Sequence, residues 1–298
     1  MSEGIPYGNN LLRYICNLID GYTKDSILKE YLQNSDDSGA TELVVTFDKR
    51  THKPLIGTKF EVAKGASLLL YNNAFFDKHD FESIVDLGAQ GKVEDAKSTG
   101  RFGLGFSSSF SISDHPSFVS NGRALWFDVH RSAVSKDKND DIQGWRLEED
   151  KREIQAWINT FEIGNNQNGT TFRLPFRNEQ TKNQSRISGD IFKYTDFLGW
   201  CDEWKNNTSH LLFLRNIQKL ILQEITEDNE TIIHVQINTK NFNEIHKYNQ
   251  KFQEEFESES LGICEDWKST GKELPFFTYK HHFCIKYLDS DNKNHHYF

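Results

Sequence analysis

The sequence predicts a mixed fold of helices and strands, and three observations carry that expectation. Apolar residues recur at helical spacing twice within the first forty positions. Short runs rich in Val, Ile, Leu and aromatic residues follow, at strand length. Two of the turn signals, Asn121-Gly122 and Asp228-Asn229, each lie between two such runs, as a hairpin requires.

The elements follow in order. Leu11, Leu12, Ile15, Leu18 and Ile19 form the apolar stripe of a first helix, closed by Asp20-Gly21. A second helix begins near Asp25, with Ile27, Leu28, Tyr31 and Leu32 as its apolar face, and ends at Ser38-Gly39. Glu42–Phe47 and Ser67–Tyr71 read as strands, and Asp77–Leu87 as a short helix. Gly88–Gly100 is polar, bounded by glycines and without a period, so it reads as a long loop. Ser117–Ser120 and Ala124–Val129 form a hairpin, Ser135–Asp141 a charged loop, and Thr171–Phe176 a further strand. Ile191–Trp204 and Ser209–Arg215 read as helices, and Lys219–Gln223 with Thr231–Ile237 as a strand pair. Beyond position 240 the pattern weakens to a helical stretch at Glu244–Glu257 and a strand at Phe283–Tyr287.

Composition narrows the function classes. The 298 residues carry 35 Lys+Arg against 44 Asp+Glu, a net charge of −9, which argues against a general binder of nucleic acid or of anionic membranes. No apolar run is long enough for a membrane-spanning helix, and the first 20 residues have neither the basic nor the apolar region of a secretory signal. Cys16, Cys201, Cys264 and Cys284 are widely spaced and form no CxxC pair, so reduced thiols in a cytoplasmic protein are expected. The histidines near the end (His281, His282, His295, His296) read as solvated or interface residues rather than as a metal site.

Four segments carry the candidate chemistry. Glu30, Asn34 and Asp37 are spaced four and three apart, which at about 100° per residue puts them on one helix face beside the apolar stripe. Alone, that face reads as a solvated one. Leu68–Tyr71 runs into Asn72-Asn73-Ala74, a strand ending in two amides. Gly100-Arg101-Phe102-Gly103-Leu104-Gly105-Phe106 places three glycines at the opening of a helix, where backbone N–H groups can approach phosphate oxygens. The order GxxGxG is not the dinucleotide fingerprint, no Gly-Lys-Ser/Thr follows, and a tight packing turn is the plain alternative. Asn168-Gly169-Thr170 is a turn entering a strand.

Taken together and in this order, the four segments resemble the GHKL ATPase superfamily, and most closely its sacsin-like branch. "ILKEYLQNSDDSGATE", "LLLYNNAFFDKHDFESI", "GRFGLGFSSSFSISDHPSF", "NGTTFRLPFR" and "HLLFLRNIQKLIL" are similar to stretches of the sacsin head, over roughly residues 8 to 225. The resemblance implies a two-layer α/β sandwich of the Bergerat type, a mixed and mostly antiparallel sheet covered on one face by helices. It implies an ATP-binding domain over 1–225 and an extension over 226–298 that starts a following domain. By the same resemblance Glu30 is the general base toward water, Asn34 the Mg²⁺ ligand, and Asp37 a support near the nucleotide. Gly100, Gly103 and Gly105, with Phe102, Leu104 and Phe106 between and after them, cradle the phosphates, and Gly88–Thr99 is the lid. Arg101 either reaches a phosphate or stays at the surface, and Thr170 hydrogen-bonds near the adenine, directly or through water. Most of the superfamily has an aspartate where this chain has Asn72, so weaker discrimination of adenine from guanine is expected.

The implied function is Mg-ATP binding with slow hydrolysis, coupling lid closure or head dimerisation to chaperone-like remodelling of a protein partner. The alternative is a nucleotide-gated switch in a larger assembly that binds nucleotide and barely hydrolyses it. A histidine kinase lacks its dimerisation helix here, and a topoisomerase or mismatch-repair head lacks the basic character expected of one. Low turnover is expected because residues 240–298 are short for the domain that supplies a cation to the γ-phosphate in related ATPases.

Overall fold

The computed structural model describes residues 3–6, 11–19, 23–52, 64–78, 80–81, 84, 106–121, 123–127, 129–130, 142–147, 161, 168–206, 214–239, 285–288 and 294–297. The chain divides into two compact units, Met1–Asn238 and Thr239–Phe298. The boundary drawn from the sequence at 225 falls at the end of one hairpin strand, and the first unit runs on through its partner strand to Asn238.

Strands β1 (Glu3–Pro6), β2 (Glu42–Asp48), β3 (Ser67–Asn72), β4 (Ser117–Ser120), β5 (Arg123–Phe127), β6 (Ile142–Leu147), β7 (Thr170–Pro175), β8 (Lys219–Ile225) and β9 (Thr231–Asn238) form one sheet. Its nine strands run in the order β1-β6-β5-β4-β7-β3-β2-β8-β9. Strand β2 lies parallel to β8, and every other neighbouring pair is antiparallel. The two predicted hairpins are present. Their turns hold Asn121 at φ 45 and Asn229 at φ 63, a left-handed conformation that asparagine tolerates better than most residues. Three elements escaped the sequence reading: β1, β6 and, in the second unit, β11 (Asn294–Tyr297). Within the second unit β10 (Ile285–Leu288) pairs antiparallel with β11 (Asn294–Tyr297).

Helices α1 (Leu11–Ile19), α2 (Lys24–Asp37) and α3 (Tyr194–Asn206) pack on one face of the large sheet. Ile15, Ile27, Leu28, Phe197, Trp200 and Trp204 join Leu43, Val45, Phe47, Leu68, Leu70, Phe172, Leu220 and Leu222 in a single apolar cluster. Alternation along β2, β3 and β7 sends these residues to the helix side. The phenylalanines divide into two ring clusters. Phe76, Phe81, Phe106, Phe118 and Phe172 meet at one end. Phe47, Phe176, Phe192, Tyr194 and Phe197 meet at the other.

The mixed, mostly antiparallel sheet matches the expectation. The second face differs from a sandwich covered on one side only: Leu69, Val119, Ala124, Trp126, Asp48 and Arg173 are buried there as well. The reason is visible in β3, where three leucines in succession leave neither face polar. The helix predicted at Ser209–Arg215, the lid loop at Gly88–Thr99 and the helical stretch at Glu244–Glu257 lie largely or wholly outside the described residues. Cys16 and Cys201 are not in disulfides, while Cys264 and Cys284 lie outside the described residues. No described helix is long and apolar enough to cross a membrane.

Candidate functional site

Helix α2 carries the first group of candidate residues, and its end is sharply defined. Gly39, at φ 79, closes it: the Ala40 N–H donates to the Ser35 carbonyl at 3.0 Å and the Gly39 N–H to the Asp36 carbonyl at 3.0 Å. This pair of bonds is the Schellman arrangement, and only a residue at ease with positive φ completes it without strain. Ile27, Leu28, Tyr31, Leu32, Ser35 and Asp36 form the buried stripe of α2. Glu30, Asn34 and Asp37 lie along its partly exposed flank, as the spacing predicts.

The Glu30 carboxylate makes no hydrogen bond or ion pair with the described residues. Burial pushes its pKa above the ordinary value of 4.5, because the charged form loses solvation. The Asn34 side chain likewise has no hydrogen-bond partner among the described residues. It faces a cleft lined by Tyr31, Asn34, Ser35, Asn72, Phe76, Ile84, Phe106 and Phe172. Two amides, Asn34 and Asn72, and the Ser35 hydroxyl therefore share the cleft with a mostly aromatic lining. Tyr31 is fixed at that floor by a 2.7 Å hydrogen bond with Ser109 and by an edge contact with Phe172 at 5.0 Å.

Asn72 ends β3 at the mouth of this cleft and is only 6% exposed. Its Oδ1 accepts the Ala74 N–H at 3.0 Å, which sets the orientation of the amide, and its Nδ2 donates to Ser35 Oγ at 3.2 Å. One lone pair and one N–H of Asn72 remain for a ligand. Asn73 faces the other way. Its Oδ1 accepts from Thr41 and Glu42 N–H, and its Nδ2 donates to Thr41 Oγ1, which ties β3 to the start of β2. The two asparagines of the motif thus divide into one cleft residue and one structural residue.

Thr170 pairs with Asn72 across β3 and β7 but does not line the cleft. It is fully buried, donates its hydroxyl to the Ala74 carbonyl at 2.8 Å, and shares a 2.7 Å hydrogen bond with Ser120. Ser120 in turn accepts the Phe76 N–H at 2.8 Å, so Thr170 and Ser120 hold the strand exit after Asn72. Gly169, at φ 142, permits this approach: a Cβ there would overlap the Asn72 carbonyl oxygen and lie 2.9 Å from Asn73 Cα.

The structure therefore brings Asn34, Asn72 and Phe106 together, with Glu30 one turn before Asn34 and Asp37 one turn after it. Phe106 belongs to the aromatic floor, 4.8 Å from the Phe127 ring. Gly100, Arg101, Phe102, Gly103, Leu104 and Gly105 lie outside the described residues. Sequence reasoning missed Ser35, although it stands four residues after Tyr31 and continues the buried stripe. It also missed Asp36. That buried carboxylate accepts the Arg215 N–H at 2.9 Å on one oxygen, and the Asn216 and Ile217 N–H groups at 2.7 and 2.9 Å on the other. Asn216 Nδ2 also donates to the Asp36 carbonyl at 2.8 Å. Hydrogen bonds to a charged acceptor are worth about 1.5–3 kcal/mol each, so this contact anchors the segment entering β8.

The segments that form this cleft and its supports lie within a region of detectable relatives. The Sacsin domain family profile matches residues 8–265. The chain belongs to the Sacsin domain family. Human Sacsin is 29% identical to this sacsin-domain chain over 212 residues. That alignment covers 66% of the chain and 4% of the human protein, so the chain spans a small fraction of its relative's length. A solved structure, described as the crystal structure of the N terminal domain of a DNA repair protein, aligns with a TM-score of 0.43 at 13% identity. It covers 80% of this chain and 60% of its own.

Proposed function

We propose that this sacsin-domain chain is a GHKL head of the Bergerat type that binds Mg-ATP in the Asn34–Asn72 cleft and hydrolyses it slowly. The observation that carries the reading is a pair of polar groups without a hydrogen-bond or ion-pair partner among the described residues, one helical turn apart on α2. They are a half-buried Glu30 carboxylate with a raised pKa and the Asn34 carboxamide facing the cleft. A carboxylate with a burial-raised pKa beside an unpaired amide that faces a cleft is a pattern found at functional sites.

The residues fit the implied groups. Asn34 offers one neutral oxygen, which suits a small hard ion that keeps most of its waters and shares the rest of its shell with phosphates. Among the described residues no cluster of three or more His, Cys, Asp or Glu exists that would hold an ion without the nucleotide. When bound, Mg²⁺ supplies charge neutralisation at the phosphates. Glu30 orients the attacking water and accepts its proton, and burial raises its pKa above the ordinary value, which makes it a stronger base. Asn72 reads the base with its remaining lone pair and N–H. Its acceptor matches an adenine amino group and its donor a guanine O6, so discrimination of ATP from GTP should be weaker than an aspartate gives. An ATP preference of about a hundredfold or more would overturn that point. Coupling to lid closure, head dimerisation and remodelling of a protein partner extends the same reading.

The test is a titration of the full chain with ATP, with Mg²⁺ or with EDTA, repeated for Asn34→Ala. The expected result is saturable binding strengthened by Mg²⁺, with that gain removed in Asn34→Ala. Absence of saturable ATP binding by the wild-type chain would sink the proposal.

A further inference from the structure

We propose that Asp36 is a positioning residue for Asn34: its carboxylate, clamped by the backbone of residues 215–217, fixes the last turn of α2 and so the aim of the Asn34 carboxamide into the cleft. The proposal rests on the nucleotide reading above and deepens it by assigning a role to a residue outside the cleft lining.

Three observations converge on Asp36. It is buried, and both carboxylate oxygens are taken by three successive backbone N–H groups, those of Arg215, Asn216 and Ile217. Its carbonyl receives two further donors, the Gly39 N–H and Asn216 Nδ2, so the turn that carries Asn34 is held from side chain and main chain together. The same turn holds Ser35, whose hydroxyl accepts from Asn72. The last turn of a helix is otherwise the one that frays, because its carbonyls lack intrahelical partners. Asn34 itself has no described side-chain partner to orient it. Its aim therefore depends on the backbone beneath it, and Asp36 is the side chain that fixes that backbone to the sheet. Groups that orient a metal ligand from behind typically change metal affinity about 10- to 100-fold when removed.

The experiment uses the full chain and a fluorescent, non-hydrolysable ATP analogue, titrated with Mg²⁺ and with EDTA, for wild type, Asp36→Asn, Asn34→Ala and the double variant. Asp36→Asn retains one oxygen acceptor and sets an NH₂ group against a backbone donor. The expected result is a loss of about tenfold or more in the Mg²⁺-dependent gain in affinity, with EDTA affinity within about twofold of wild type. The double variant should lose no more than Asn34→Ala alone, since both changes act through one side chain. If Asp36→Asn does not fold, Asn216→Ala, which removes one donor to the Asp36 carbonyl, should show a smaller loss of the same kind. A wild-type Mg²⁺ gain in the variant that folds, or equal losses with Mg²⁺ and with EDTA, overturns the positioning role. Absence of analogue binding by the wild-type chain overturns the nucleotide reading, and this inference with it.

Discussion

The two ends of the β2–β3 pair are both polar, yet they are built on opposite terms. At one end Asn72 meets α2, and Glu30 and Asn34 have no partner among the described residues. At the other end Asp48 is fully buried and densely paired. Arg50 Nε reaches it at 2.8 Å, Arg50 Nη2 at 3.0 Å, and His52 Nε2 at 3.1 Å. Arg173, also buried, lies close enough for the Asp48 charge to act on it, and its Nη2 donates to the Gly65 carbonyl at 3.0 Å. Burial alone would raise the Asp48 pKa, but hydrogen bonds from His52 and Arg50 outweigh it and hold the carboxyl at about 2. Burial of Glu30 meets no such opposition, and its pKa moves up. The lesson is that buried polarity alone does not mark a site. Saturated groups hold the sheet together, and open ones are available to a ligand.

The sharpest way to break this comparison is to remove the open carboxylate. Glu30→Ala should lower ATP turnover by about 10²–10⁴-fold while leaving Mg-ATP affinity nearly unchanged, as read by steady-state kinetics beside a binding titration. Persistence of a biological function in that variant would favour a nucleotide-gated switch over a hydrolytic cycle. Wild-type turnover should fall as pH drops through the raised Glu30 pKa, giving an acid limb above 4.5. Gly169→Ala tests the packing behind the cleft. With φ 142 and a Cβ that would overlap the Asn72 carbonyl, a loss of about 3 kcal/mol is expected by chemical denaturation, together with weaker nucleotide binding.

Asp48→Asn tests the saturated end. A carboxyl held at about 2 instead of 3.8 contributes stability that is present above pH 3.8 and lost as pH falls through about 2. The variant should be less stable by about 2 kcal/mol at neutral pH, and the gap should close between pH 4 and pH 2. The smallest effect has the opposite sign. Glu30 carries a raised pKa, so its ionisation opposes folding once pH exceeds that value. Glu30→Gln should therefore raise the melting temperature slightly at neutral pH, and the gain should vanish below about pH 4.5.

Much of the fold was legible in the sequence because local periodicity writes it directly. The stripes of α1 and α2, the runs of β2, β3, β7 and β8, and the two hairpin turns all arise from residues within ten positions of one another. Periodicity placed Glu30 and Asn34 on a helix flank and Asn72 at a strand end, but only the resemblance to the sacsin-like branch marked them as candidates. β1 and β6 were not legible. Glu3–Pro6 has no alternation to read, and it is a strand only because Glu3 pairs with Arg146. Thr170 illustrates the other limit: the motif marks the residue, but only the neighbouring strands reveal that its hydroxyl holds Ala74 and Ser120.

By itself the sequence determined most of the helices and strands, through side-chain spacing along each, and the family, through the motifs that match its profile over residues 8–265. Only the tertiary structure decided which polar groups are satisfied. Asn34 and Asp36 stand two positions apart on one turn, yet Asp36 is clamped by residues 215–217 and the Asn34 side chain has no hydrogen-bond partner among the described residues. A hydrogen bond across some 180 positions costs chain entropy that no local pattern records, so its partner appears only once the sheet has brought the two segments together.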